Sequence, residues 1–124
     1  MVRTIVCGIA LVCGTLVASG AWAGEADVVA VKVRRSAAGQ YDFDVTVSSV
    51  DKGWDYYADA FEILAPDGTV LGRRVLLHPH ETEQPFTREL YGVKIPPGID
   101  RVTVRARHKP RGYDGKTFSV MLPK

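Results

Sequence analysis

The sequence predicts an all-β fold, a single antiparallel two-sheet sandwich of about seven strands joined by Greek-key connections. Three observations carry this. Apolar residues recur at every second position through most of the chain, the period of a strand with one face buried and the other wet. Gly and Pro punctuate these runs at intervals of roughly 8 to 15 residues, the spacing of a sandwich. No window carries a helical stripe capped at both ends, so helix content should be low.

The first run alternates Val29, Val31 and Val33 with Ala30, Lys32 and Arg34, and the second alternates Tyr41, Phe43, Val45 and Val47 with Asp42, Asp44, Thr46 and Ser48 after a Gly39 turn. Phe61 and Ile63 mark a third run. Pro66-Asp67-Gly68 turns the chain back into Val70, Leu71, Val75 and Leu77, the clearest hairpin in the sequence. Phe86 and Leu90 begin a fifth run that ends at Val93 and Ile95, where Pro96-Pro97-Gly98 forbids further pairing. Val102, Val104 and Ala106 form the cleanest amphipathic strand, and Phe118, Val120 and Leu122 the last. Two such sheets would enclose a core filled by Tyr41, Phe43, Phe61, Phe86 and Phe118. An open barrel is the alternative architecture.

Residues 1–23 have the pattern of a secretory signal peptide: a basic start at Arg3, an apolar run from Ile5 to Val17, and small residues closing on Ala21-Trp22-Ala23. A transmembrane anchor needs about 20 apolar residues, and this run is shorter and broken by glycines, so stable membrane insertion after cleavage is not expected. Val12 precedes Cys13 and Val6 precedes Cys7, which disfavours lipidation at either. The expected organisation is a leader over 1–23 and one β-sandwich domain over 24–124, working in the periplasm or secreted. Both cysteines lie in the leader, so the domain has no thiol, disulfide or thiolate metal ligand.

Arg3 is the only charged residue of the leader, which leaves 15 basic against 14 acidic residues in the domain. That balance does not suggest a nucleic-acid partner or an electrostatic membrane binder. The row Arg101, Arg105 and Arg107, with Lys109 and Arg111 beyond, reads as a solvated sheet face offset by acids on the neighbouring strand.

Two stretches do not read as strand, and function on a sandwich sits mostly in its loops. One runs from Asp51 to Asp59 and holds Trp54, Tyr56 and Tyr57; the other runs from His78 to Pro85 and holds His78, His80, Glu81 and Glu83. In extended His78-Pro79-His80 both rings share a face, and with Glu81, Glu83 and His108 they offer nitrogen and oxygen ligands suited to copper(II) or zinc. The structural alternative pairs the two histidines with carboxylates such as Asp55 or Asp59. Trp54, Tyr56 and Tyr57, with Tyr91 and Tyr113, suit a stacking platform for a sugar or peptide, although a Trp in this position more often plugs the core. Arg88 falls on the inward parity between Phe86 and Leu90, which asks for an ion-pair partner such as Glu62 or Glu89, or for an anionic ligand.

No Gly-x-Ser-x-Gly, His-Glu-x-x-His, phosphate-binding glycine loop or cysteine nucleophile is present in the domain, so catalysis is not expected.

The stretches Gly53-Trp54, Tyr57-Ala58-Asp59, Pro66 to Gly72, His78-Pro79-His80, Glu83-Gln84-Pro85-Phe86-Thr87-Arg88 and Val102 to Ala106 resemble a group of uncharacterised small exported bacterial proteins. The His-Pro-His block followed by Glu-Gln-Pro-Phe-Thr-Arg is the specific part, and the resemblance spans most of the domain. It implies export and a single domain, and transfers no site residues. The general pattern also resembles immunoglobulin-like and fibronectin-like modules, which implies fold and not function. The expected function is a non-enzymatic binding or interaction module of the bacterial envelope, with a protein or envelope component as partner. Alternatives are a periplasmic copper or zinc protein using His78 and His80, and a carbohydrate-binding module.

Overall fold

A computed structural model describes residues 24–124; the expected leader over 1–23 lies outside the described residues. Seven strands follow one another: β1 Ala26–Ala37, β2 Gln40–Ser49, β3 Tyr57–Leu64, β4 Val70–Val75, β5 Phe86–Lys94, β6 Arg101–Lys109 and β7 Phe118–Met121. All neighbouring pairs are antiparallel. They form a three-stranded sheet in the order β1-β2-β5 and a four-stranded sheet in the order β4-β3-β6-β7. The links β2 to β3, β4 to β5 and β5 to β6 cross between sheets, which gives the Greek-key sandwich that the periodicity predicts. Among the described residues no helix is long and apolar enough to cross a membrane.

The buried side chains of both sheets meet in one core, with Phe43, Phe61 and Phe86 as its largest apolar members and Tyr41 and Phe118 packed at its margin. β2 places Phe43, Val45 and Val47 inward, and β6 does the same with Val102, Val104 and Ala106, both as expected. Two strands depart from the expected parity. In β1 a register shift between Val28 and Ala30 leaves Val29 outside the pairing and 42% exposed, so Val28 takes the core position while Val31 and Val33 are half-buried. In β4 the expected Val70, Val75 and Leu77 are all exposed; Leu76, whose N–H donates to the Asp59 carbonyl, is the buried residue beside half-buried Leu71. The shift in β1 moves Val29 to the other face, because strand side chains alternate strictly, whereas Leu76 lies just past the end of β4.

The order of strands sorts the connections by end. The β1–β2, β3–β4 and β5–β6 turns lie at one end of the sandwich. The β2–β3, β4–β5 and β6–β7 loops, with the start of β1, lie at the other, and both chemically unusual stretches are therefore neighbours.

Candidate functional site

The loop end is organised by a carboxylate. The Asp51 side chain is fully buried: Oδ1 accepts the Ser49 hydroxyl at 2.7 Å and the Ala58 N–H at 3.0 Å, and Oδ2 accepts the His80 N–H at 2.7 Å. An ionised acceptor suits these donors, since hydrogen bonds to a charged group are stronger than neutral ones. The β4–β5 loop is fastened a second time by Gln84, whose Oε1 accepts the Ser49 N–H at 2.8 Å while Nε2 donates to the His80 carbonyl at 2.9 Å. Sequence reasoning missed both residues as organisers. The signal for Asp51 is its place two residues after Ser49, a spacing that suits a local side-chain turn.

Held in this frame, His80 stacks on Phe86 with ring centres 3.9 Å apart and planes at 10°, and the His78 ring lies 4.5 Å from it, tilted by 38°. The Arg88 guanidinium lies over the Phe86 ring at 5.6 Å. His80 is buried and neither ring nitrogen has a hydrogen-bond partner; its Nδ1 is 4.0 Å from Asp51 Oδ2. Burial pushes the His80 imidazole below its ordinary pKa, and the Arg88 charge adds to this. His78 is exposed, with Nδ1 donating to the Pro79 carbonyl at 3.0 Å.

The carboxylate beside the histidines is thus Asp51, not Asp55 or Asp59; Asp59 instead accepts from Arg107 at 2.7 Å. Arg88 is also paired differently from expectation. It shares the inward face with its partner Val45, but β5 is an edge strand, so the side chain reaches round the rim to Glu83 at 3.0 Å. Glu62 is occupied by Arg73 and Arg105, at 3.0 and 2.8 Å.

His108 is fully buried, its Nε2 donating to the Val50 carbonyl at 2.8 Å and its ring meeting the edge of Tyr56 at 4.4 Å. It packs under the β2–β3 loop and takes no part in the His78–His80–Phe86 stack. The alternation Val102, Val104, Ala106, extended by one step, already points His108 inward. Glu81 is exposed, and a Cβ placed on Gly53 would lie 3.9 Å from its Oε2, so the carboxylate faces the Trp54 loop. Among the described residues no three His, Cys, Asp or Glu side chains are grouped to hold a metal ion.

Trp54 does not plug the core: it is 62% exposed, with Tyr57 edge-on at 5.9 Å. Tyr56 is half-buried and donates its hydroxyl to Glu25, which raises its pKa above the ordinary phenol value. The expected five-residue platform is not assembled. Tyr91 sits on β5 of the three-stranded sheet under Arg34, and Tyr113 lies 3.7 Å beneath the Arg105 guanidinium. The basic row on β6 is offset as expected, by Glu62 and Asp59 of β3. A depression of about 280 Å³ lies at the opposite end, lined by Gly39, Tyr41 and the Ile95 to Ile99 turn, and holds no charged group.

No family model and no solved structure matches the chain. Over 96 residues it is 38% identical to a protein of Halomicrobium mukohataei named "Putative lipoprotein", a match that covers 77% of this chain and 47% of the relative. The chain therefore spans about half the length of the curated relative it matches, and the similarity is that of a two-sheet sandwich module to part of a longer protein.

Proposed function

We propose that this chain is an exported, non-enzymatic β-sandwich of the cell envelope that binds a protein or another envelope component through its loop end. The observation that carries the reading is Trp54, 62% exposed on a loop whose neighbouring backbone is pinned by the buried Asp51 carboxylate. A large aromatic presented on a fixed backbone gives contact area at low entropic cost, the usual make-up of a binding anchor. The leader pattern of residues 1–23 and a relative named as a lipoprotein support export. The non-enzymatic part rests on the lack of a catalytic signature in the sequence. It is supported by the use of the acids at this end: Asp51 holds backbone, Asp59 holds Arg107 and Glu83 holds Arg88.

The test places a photo-crosslinking residue at position 54 and, separately, at Val70 by the opposite end, in cells exporting the protein. A discrete adduct from position 54 and none from position 70 is expected. No adduct from either, or the same adducts from both, overturns the reading. A carbohydrate ligand is the second reading, favoured by the same exposed ring beside Tyr57, onto which a sugar face would stack. In that case the position 54 adduct carries glycan, and Trp54 fluorescence shifts with the free sugar.

A further inference from the structure

The start of β1 is held in a way that the binding reading above does not use. The Asp27 carboxylate is 6% exposed, and its Oδ1 accepts two backbone N–H groups, from Gly24 at 2.9 Å and from Lys116 at 2.7 Å. Among the described residues no Lys, Arg or His side chain pairs with it. A buried carboxylate is costly unless an opposite charge meets it as well as hydrogen-bond donors. Two amides supply the donors, and the charge is missing.

One of those donors belongs to the first residue of the expected domain. Ala21 and Ala23, directly before Gly24, are the small residues of the cleavage pattern. Hydrolysis of the Ala23–Gly24 peptide bond by a leader peptidase consumes one water: the C–N bond breaks, Ala23 leaves as a carboxylate, and the Gly24 nitrogen becomes a primary amine. A terminal amine has an ordinary pKa of about 7.7–8.0, so at neutral pH most of it is protonated. A single amide N–H is thereby exchanged for an ammonium with a full charge, and a charged donor makes the stronger bond.

The seat is fitted to this residue. Gly24 is half-buried, and a Cβ on it would stand 2.5 Å from both the Asp114 carbonyl oxygen and the Gly115 Cα, backbone that a side chain cannot displace. Glu25 then ties the same segment to both neighbouring loops. Its N–H donates to Asp114 at 3.2 Å, its carbonyl accepts the Val50 N–H at 2.9 Å, and its carboxylate accepts the Tyr56 hydroxyl.

We propose that leader cleavage docks the Gly24 ammonium on the buried Asp27 carboxylate, and that this internal ion pair locks the start of β1 onto the β6–β7 loop, so that the loop end is complete only in the processed protein. The pairing rests on the export reading and is independent of what the loop end binds. The charged groups around the amine are Asp27 and Glu25 beside β1, and Asp114 and Lys116 on the β6–β7 loop, with Asp114 also paired to Arg111 at 3.4 Å. Asp27, in direct contact, favours the ammonium and raises its folded pKa above the unfolded one. The stability contributed is complete below about pH 7.7 and is lost as pH rises through the folded value.

The full chain is expressed with its leader and recovered from outside the cytoplasm. Mass spectrometry reads its first residue, and NMR of the protein labelled with carbon-13 glycine reads the amine titration. A chain beginning at Gly24, with an amine that titrates above the ordinary range, is expected. Asp27→Asn keeps an oxygen for both N–H donors and returns the titration to that range. Its stability deficit in urea shrinks between about pH 7 and about pH 9.5, whereas the loss of an uncharged hydrogen bond would stay constant. An exported chain with another first residue, an ordinary amine titration in the unaltered protein, or a deficit that does not change with pH overturns the pairing and leaves export standing. A full-length chain kept in the cytoplasm overturns export as well.

Discussion

The Asp51 carboxylate receives the backbone N–H of His80 at 2.7 Å across 29 residues of sequence, and so fixes the β4–β5 loop to the β2–β3 loop. Its other oxygen is taken by Ser49 and Ala58. One buried anion therefore sets the backbone beneath both Trp54 and the histidine pair. Asp51→Ala leaves the Ala58 and His80 N–H groups without their acceptor, and each loss of a charge-assisted bond costs about 1.5–3 kcal/mol. A loss of about 3 kcal/mol or more in chemical denaturation is expected. Asp51→Asn, which keeps the shape but turns an amide toward a donor, should lose a smaller amount.

His80 gives the fold a pH dependence. Its folded pKa lies below the unfolded value because burial, and then Arg88 and His78, disfavour the imidazolium, against the weaker pull of Asp51 and Glu83. The unfolded chain thus binds the proton more readily than the native one. The stability contributed is complete above about pH 6.5 and is lost as pH falls from there through the lowered folded value. Melting temperature measured with chelator present from pH 8 to pH 5 should fall over that interval, and the part due to this group should disappear in His80→Gln.

How much of this was legible follows the regularity of pairing. The inward rows Phe43, Val45, Val47 and Val102, Val104, Ala106 belong to strands paired on both sides, where period two runs unbroken. In β1 a bulge ejects Val29 while Val31 and Val33 keep the expected face, and in the β4 run Leu71 packs on the core while Leu76, in place of Val75 and Leu77, turns inward. Neither event has a local sequence mark. His108 was legible and overlooked, being the next step of the β6 alternation. At the loop end the choice among Asp51, Asp55 and Asp59 depends on which one meets the His80 backbone, a long-range event that composition does not record.

Trp54 is the only tryptophan of residues 24–124, so the domain's indole fluorescence reports this side chain alone. At 62% exposure its emission should be red-shifted and quenched freely by acrylamide. Trp54→Ala should change stability by no more than about 0.5 kcal/mol, the ordinary range for an exposed site. A core plug would instead have cost about 3–5 kcal/mol on truncation, so the denaturation midpoint separates the two placements.

Glu62 lies on the outward parity of β3 yet is 3% exposed, roofed by Arg73 and Arg105, which each take one of its oxygens. Removing one partner of a buried pair costs about 3–5 kcal/mol. Here the arginines are 44% and 30% exposed and can be hydrated, which reduces the cost. Glu62→Ala should lose about 1–3 kcal/mol. Glu62→Leu should recover part of that by filling the space, a comparison made by paired urea melts.

Gly115 guards the closure between the first strand and the β6–β7 loop. The Asp27 Oδ1 atom accepts the N–H groups of Gly24 at 2.9 Å and Lys116 at 2.7 Å, and the Val28 N–H donates to the Lys116 carbonyl at 2.9 Å. The start of β1 thereby bridges from the three-stranded sheet to the loop that leads into β7. A Cβ on Gly115 would stand 1.8 Å from the Ala26 carbonyl oxygen and 2.7 Å from Asp27 Oδ1. The obstacle is backbone and a buried carboxylate, so it cannot rotate aside as a flexible side chain would. Gly115→Ala must push the two segments apart and break these bonds, with a loss of at least about 1–3 kcal/mol. Hydrogen exchange should show the Val28 and Lys116 amides losing protection in Gly115→Ala while those of Val45 and Val104 keep theirs. Equal loss at all four would mean that the closure is no separate unit of stability.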